Sequence, residues 1–260
     1  MGRMMVLGDI LSPWLYPLLF GTGFAAGFVD SIAGGGGLIT VPVLLSLGYG
    51  PQAALATNKL QASFGSGSAA WHYARAGLID GRECSQGVAI TFLAAAAGTL
   101  TVQHVSPNFL RRAIPVLLIG IAIYLLLRPK TGLAPRPPRL KPAVFAATFG
   151  ILLGFYDGFF GPGTGTFWAM ACVLWMGFDL TKATAYTKAM NFASNLASLL
   201  VFLLGGQVHF AAGVVMGLGQ WSGARVGSQM VVRQGTGFIR PVFLAVVLSL
   251  TVKLLWDAFF

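Results

Sequence analysis

The residues of this chain that could do chemistry are few, and they come in pairs. Lys59 lies in Ala-Leu-Ala-Thr57-Asn58-Lys59-Leu-Gln61-Ala-Ser63, and Lys188 in Ala-Tyr-Thr187-Lys188-Ala-Met-Asn191. Both interrupt apolar stretches. On a helix beginning near Pro51, Lys59 sits about 12 Å along the axis. A lysine that deep in an apolar segment is costly and marks a functional site by default. Ser63 and Ser66 follow Lys59, and Asn191, Asn195 and Ser198 follow Lys188, at spacings that place them on one helical stripe. Such a stripe needs a charged partner or a water-filled cavity. The competing reading, a lysine snorkelling to an interface, is weakened by the duplication.

The second paired feature is acidic and glycine-rich. Asp30-Ser-Ile-Ala-Gly34-Gly-Gly-Gly37 has a counterpart in Asp157-Gly-Phe-Phe-Gly161-Pro-Gly-Thr-Gly165. Glycines break a helix and let backbone approach a ligand closely. The apolar segment that follows, from about Leu38 to Leu47, spans roughly 15 Å as a helix, half of an approximately 30 Å hydrocarbon core. It therefore begins within the membrane, with free N–H groups and a partial positive charge suited to an anion. Pro162 fits a first helical position in the second copy. The competing reading is that these glycines only permit close helix packing. The anion-binding set predicted on this basis is Lys59, Lys188, Gly35, Gly36, Gly37, Asn58, Gln61, Ser63, Gly163, Thr164, Asn191 and Asn195. Asp30 and Asp157 are expected to hold the broken-helix backbone. Pairing with a lysine of the opposite half, or carrying a proton, are their other possible roles. No cofactor is expected, and no HxxxH, HExxH or zinc spacing occurs; His72, His104 and His209 all lie near segment ends.

The elements that must position these residues are membrane helices. The chain of 260 residues is 56% hydrophobic and 9% charged, with 35 glycines; an ordinary soluble domain carries about 25% charged residues, so most of this chain has no means of facing water. The net charge of +10 sits in short connections, where it orients a membrane protein and does not form a nucleic-acid patch. Ten apolar stretches are legible, at about 10–33, 37–48, 52–74, 86–103, 113–127, 143–160, 163–178, 181–204, 208–224 and 239–257. The second and seventh are too short to span. The N-terminal run resembles a signal peptide, but Asp9, Pro13 and Pro17 interrupt it and it continues into a motif that recurs, so it is read as mature chain. Cys84, in a polar connection, and Cys172, in an apolar stretch, are not expected to form a disulfide.

The halves repeat. Gly23, Gly27, Phe28, Asp30, Gly34 and Gly36 recur as Gly150, Gly154, Phe155, Asp157, Gly161 and Gly163; Gly48, Ala54, Ala56, Lys59 and Gly77 recur as Gly177, Ala183, Ala185, Lys188 and Gly206. Asp and Lys are scarce here, so their recurrence marks a duplication, common in transporters. The predicted architecture is an all-α polytopic membrane protein. It has a first transmembrane repeat at 1–128, a cytoplasmic linker at 129–142 rich in Pro and basic residues, and a second repeat at 143–260. The Tyr73–Glu83 connection carries Arg75 and Arg82 while its partner Leu204–Phe210 carries no Lys or Arg, which predicts inverted repeats.

Gly27–Pro42 (GFVDSIAGGGGLITVP), Ala54–Ala62 (ALATNKLQA), Gly154–Phe167 (GFYDGFFGPGTGTF) and Lys182–Asn195 (KATAYTKAMNFASN) resemble the sulfite exporter TauE/SafE family of membrane anion transporters. The resemblance runs over nearly the whole chain. It implies about eight spanning helices, a bacterial inner-membrane location, a small anionic substrate in a lipid bilayer, and outward transport of sulfur-containing oxyanions or organosulfonates. With the two short segments as partial helices, eight and ten agree. Two other classes fit less well. An intramembrane aspartyl protease could use Asp30 and Asp157 as a shared-proton pair, but leaves the lysines without a role. A cation channel or carrier would place lysines where they repel its cargo. No enzymatic activity is expected.

Overall fold

The computed structural model describes residues 6–7, 10–127 and 135–235. A two-residue antiparallel pair, β1 (Val6–Leu7) and β2 (Ile10–Leu11), precedes the helices. The first half then contains α1 (Leu15–Ala33), α2 (Gly36–Ser46), α3 (Pro51–Arg75), α4 (Gly81–Gln103) and α5 (Pro107–Leu127). The second contains α6 (Pro142–Phe159), α7 (Thr164–Ala171) continued by a π-helical turn (Cys172–Met176), α8 (Leu180–Leu204) and α9 (Phe210–Gln234). The apolar stretch at 239–257 lies outside the described residues.

The predicted segments are therefore helices, with shifted ends. α4 begins five residues before its apolar run because Asp80 caps it, its carboxylate accepting from Arg82 N at 2.8 Å. That brings Cys84 inside the helix, buried in the same apolar cluster as Cys172 and not in a polar connection; both thiols are free. α9 runs ten residues past its predicted end because Gly223 and Gly227 pack against α1 and hold that turn in register. α1, α4, α6 and α8 are each long and apolar enough to cross a membrane. Their outward faces are apolar, with Leu93, Leu100, Ile151, Leu152 and Leu204 exposed, while Lys59, Lys188, Asp157, Asn191 and Gln220 are buried. Apolar outside and charged inside is the arrangement a bilayer selects.

Close backbone contact joins the halves crosswise. α1 packs on α9 and α6 on α4. Gly27 faces the backbone of Gln220, and its counterpart Gly154 faces that of Thr91; Gly227 faces Phe28 O and Gly98 faces Phe155 O. These are the same contacts made twice, with partners exchanged, and no side chain would fit between them. In both interfaces the residue numbers rise together, so the paired helices run parallel. α3 also runs parallel to α9, through Leu60 on Gly213, Phe64 on Gly217 and Ser68 Oγ on Trp221 O. α8 runs parallel to α4, through Lys182 on Glu83 and Met190 on Thr91.

α1 and α2 meet at a turn that only glycine permits. Gly34 and Gly35 have φ of 78° and 92°, and a Cβ on Gly34 would lie 2.6 Å from Thr166 N of the opposite half. α2 has 11 residues, about 16 Å, and packs back along α1, with Leu44 against Leu15 and Leu19. α7 repeats the design after Gly161 and Gly163, at φ 94° and 83°.

Candidate functional site

The starts of α2 and α7 face one another at the centre of the molecule. A Cβ on Gly37 would lie 3.2 Å from Pro162 Cα, and Thr166 Oγ1 donates to Ala33 O at 3.1 Å. Between them is a small polar cavity walled by both acids, the glycine turns and amide side chains, including Asp30, Gly36, Asp157, Gly163, Asn191 and Gln220. It offers about 30 Å³ to the centre of a water-sized sphere, where one water needs roughly 10–15 Å³. A group of a few heavy atoms fills it.

Beside the cavity each lysine is ion-paired with the aspartate of the other half. Lys59 Nζ, on α3, lies 2.7 Å from Asp157 Oδ1 and 2.5 Å from Asp157 O on α6, and 3.4 Å from Asn195 Oδ1 on α8. Asp157 Oδ2 accepts a short hydrogen bond from Ser194 Oγ. Lys188 Nζ, on α8, lies 2.8 Å from Asp30 Oδ2 on α1. Asp30 Oδ1 accepts from Gly36 N at 3.1 Å, capping α2 where its own N-cap residue, Gly35, has no side chain to do so. Both lysines are at most 1% exposed. Burial of that depth is sustained only because each charge has an opposite charge in contact.

Asp30 thus combines two of its candidate roles, pairing and backbone capping. For Asp157 the described contacts are the lysine and Ser194, with no hydrogen bond to its own glycine turn. Each carboxylate carries an ammonium, an arrangement unlike a dyad sharing one proton between two acids.

The predicted residues divide. Gly35, Gly36, Gly37, Asn58, Gly163, Thr164, Asn191 and Asn195 line the cavity, with Asp30 and Asp157. Lys59 and Lys188 stand behind the wall, and Gln61 and Ser63 are turned away from it. Gln61 Nε2 is turned to Thr40 Oγ1 and Asn58 Oδ1, at 3.1 and 2.7 Å, behind the wall. Ser63 Oγ bonds back to Lys59 O at 2.8 Å, because a helical serine satisfies itself on the preceding turn. Ser66 accepts from Asn195 Nδ2 at 3.3 Å, tying α3 to α8. The three histidines stand at helix ends, as expected: His72 in the last turn of α3, His104 capping α4 and His209 capping α9.

Four contributors lie outside the predicted set: Gln220, Ser194, and Gly161 and Gly165 of the second glycine motif. Gln220 had a legible signal, as the lone amide in the 208–224 stretch among glycines spaced for helix packing. Ser194 flanks the predicted stripe. Only the α8–α6 contact turns it toward Asp157.

The chain matches the family described as Sulfite exporter TauE/SafE over residues 19–254. It is 46% identical over 249 residues to Probable membrane transporter protein YfcA of Escherichia coli strain K12, covering 96% of this chain and 93% of that one. It is 44% identical over 243 residues to a Probable membrane transporter protein of Haemophilus influenzae, covering 94% and 95%. Sulfite exporter TauE/SafE family protein 6 of Arabidopsis thaliana is 30% identical over 135 residues, 52% of this chain and 28% of that one. No solved structure matches. A duplicated helical body with an apolar exterior and crossed buried ion pairs is thus matched along nearly its whole length by bacterial membrane transporters, and the chain belongs to the sulfite exporter TauE/SafE family as a multi-pass membrane transporter.

Proposed function

We propose that this transporter carries a small oxyanion of the sulfite class through the central cavity, by alternating access of one half against the other. The observation that carries the reading is the meeting of two broken-helix N-termini and two buried lysines at one small polar cavity between duplicated halves. Helix starts and lysines favour negative charge, and the cavity volume favours a few-atom oxyanion over a longer organosulfonate. With both ion pairs formed, the empty site has no net formal charge, so a bound anion moves its whole charge at each turnover. At an inside-negative 100 mV, exit of a monovalent anion gains about 2.3 kcal/mol, on the order of a 50-fold gradient. The test is counterflow in proteoliposomes with sulfite, thiosulfate, sulfonates and acetate, followed by flux under potassium–valinomycin potentials of both signs. Sulfite flux that ignores the potential and follows a proton gradient would replace uniport with coupling through Asp30 and Asp157.

The reading includes halves inserted in opposite senses. Supporting it, α1, α3 and α9 run one way and α4, α6 and α8 the other, so equivalent helices of the two halves oppose. The linker at 129–142 is then cytoplasmic. Cysteines placed there, in a variant lacking Cys84 and Cys172, are expected to resist an impermeant maleimide in intact cells. Ready labelling from outside inverts the topology.

A further inference from the structure

We propose that the two lysine–aspartate pairs have divided their roles: Lys188 and Asp30, with Gln220 and Asn191, receive the transported anion, whereas Lys59 and Asp157 are a fixed strut between the halves. This rests on the transport reading above and assigns its binding residues.

The division follows from how far each ammonium is satisfied. Lysine has three donors. Those of Lys59 have three acceptors, Asp157 Oδ1, Asp157 O and Asn195 Oδ1, and the second oxygen of Asp157 is held by Ser194. An anion approaching Lys59 finds no free donor. Lys188 has one side-chain acceptor among the described residues, Asp30 Oδ2, and its remaining donors are uncommitted. Both ammoniums stand close behind the cavity wall, Lys59 Nζ 3.0 Å from where a Cβ on Gly161 would lie, so the difference between them is in their donors and not in access. A Cβ on Gly165, in the cavity wall, would lie 3.5 Å from Lys188 Nζ and 2.9 Å from Asn191 Nδ2.

Two amides point to a ligand there. Gln220 Oε1 and Asn191 Oδ1 are buried cavity-wall atoms with no hydrogen-bond partner among the described residues, on side chains 1% and 5% exposed. Buried amide groups are nearly always bonded in native proteins. Rotation by 180° lets either amide present its NH₂ to an oxyanion. When the anion takes Lys188, Asp30 keeps the Gly36 N–H and has the more exposed side chain of the two acids, 16% against 5%.

The sequence difference between the halves produces this asymmetry. The register that matches Lys59 to Lys188 matches Gly65 to Ser194 and Thr91 to Gln220. On the Asp157 side, Ser194 Oγ reaches the carboxylate, and the shorter Thr91, turned to Met190 Sδ, does not enter the cavity wall. Around Asp30, Gly65 leaves space that Gln220 enters; a Cβ there would lie 2.7 Å from Gln220 Cγ.

The test measures binding of radiolabelled sulfite, and the melting temperature, of the purified full chain in one detergent. The double substitutions Lys188→Gln/Asp30→Asn and Lys59→Gln/Asp157→Asn each remove a whole pair and leave no orphan charge. The first is expected to fold and lose sulfite binding, and the second to keep it within about threefold or to melt much earlier. Gln220→Ala is expected to remain folded, with some loss of melting temperature, and to bind about 10-fold or more weakly. Wild-type affinity in folded Lys188→Gln/Asp30→Asn or in Gln220→Ala overturns the division, as does a folded Lys59→Gln/Asp157→Asn that binds no sulfite. If the wild-type chain binds none of sulfite, thiosulfate or acetate, the transport reading itself falls, before any variant is compared.

Discussion

The Lys59 and Lys188 half-sites begin from one repeated motif and reach different ends. In both, a lysine on the long helix after the glycine turn crosses to the aspartate of the opposite half. Both carboxylates have a partner on each oxygen, but Lys59 meets three acceptors where Lys188 meets one among the described residues, and buried amides stand beside Lys188 in the cavity wall. Duplication supplied two equivalent charge pairs. In the proposed division a few side chains, Gly65 against Ser194 and Thr91 against Gln220, set one to hold the structure together and leave the other free to exchange partners. Under the proposed alternating access the halves move yet stay associated, and one fixed contact beside one exchangeable contact reconciles those demands.

The comparison is broken most directly by single substitutions read in thermal or denaturant unfolding. Lys59→Gln strands a carboxylate that is 5% exposed, and removing one partner of a buried pair costs about 3–5 kcal/mol. Lys188→Gln is expected to cost clearly less, because Asp30 keeps a backbone donor and is partly exposed. Equal costs would mean that the two pairs are energetically alike. A smaller effect sharpens the assignment. Ser194→Ala removes a hydrogen bond to a charged group, worth about 1.5–3 kcal/mol, and should lower stability with little change in sulfite affinity. The smallest concerns the surface. Lys182 and Glu83 pair at 3.2 Å with side chains 37% and 29% exposed, and the repeat register offers only Ala53 and Ala212 at the equivalent places. An exposed pair contributes about 0–1 kcal/mol. Glu83→Gln should therefore leave unfolding and transport near wild type, and a large loss would make this pair a third charged contact between the halves.

Much of this was legible in the residues. The scarcity of charge, the recurrence of Asp30 as Asp157 and of Lys59 as Lys188, and the glycine turns before two short segments specify a duplicated membrane protein with broken helices. Nine of the ten stretches appear as helices, and the tenth lies outside the described residues. Ends were less legible where capping and packing decide them: Asp80 starts α4 early in a polar turn, and α9 continues past Arg225 because glycines on its other face lie against α1.

The sequence by itself determined which groups had to be buried, because hydrophobicity and repetition are properties of the chain. It could not determine whom they meet. Lys59 and Asp157 are 98 positions apart, and Lys188 and Asp30 are 158 apart. No spacing rule reaches across such distances, so the crossed pairing exists only once α1 lies on α9 and α6 on α4. Tertiary structure also turned Gln61 and Ser63 away from the cavity, since each found a nearer hydrogen-bond partner, and brought in Gln220 from a helix chosen for its glycines. Local periodicity can place a polar group on a face. Which neighbour fills the space before that face is decided by how closely the backbones approach.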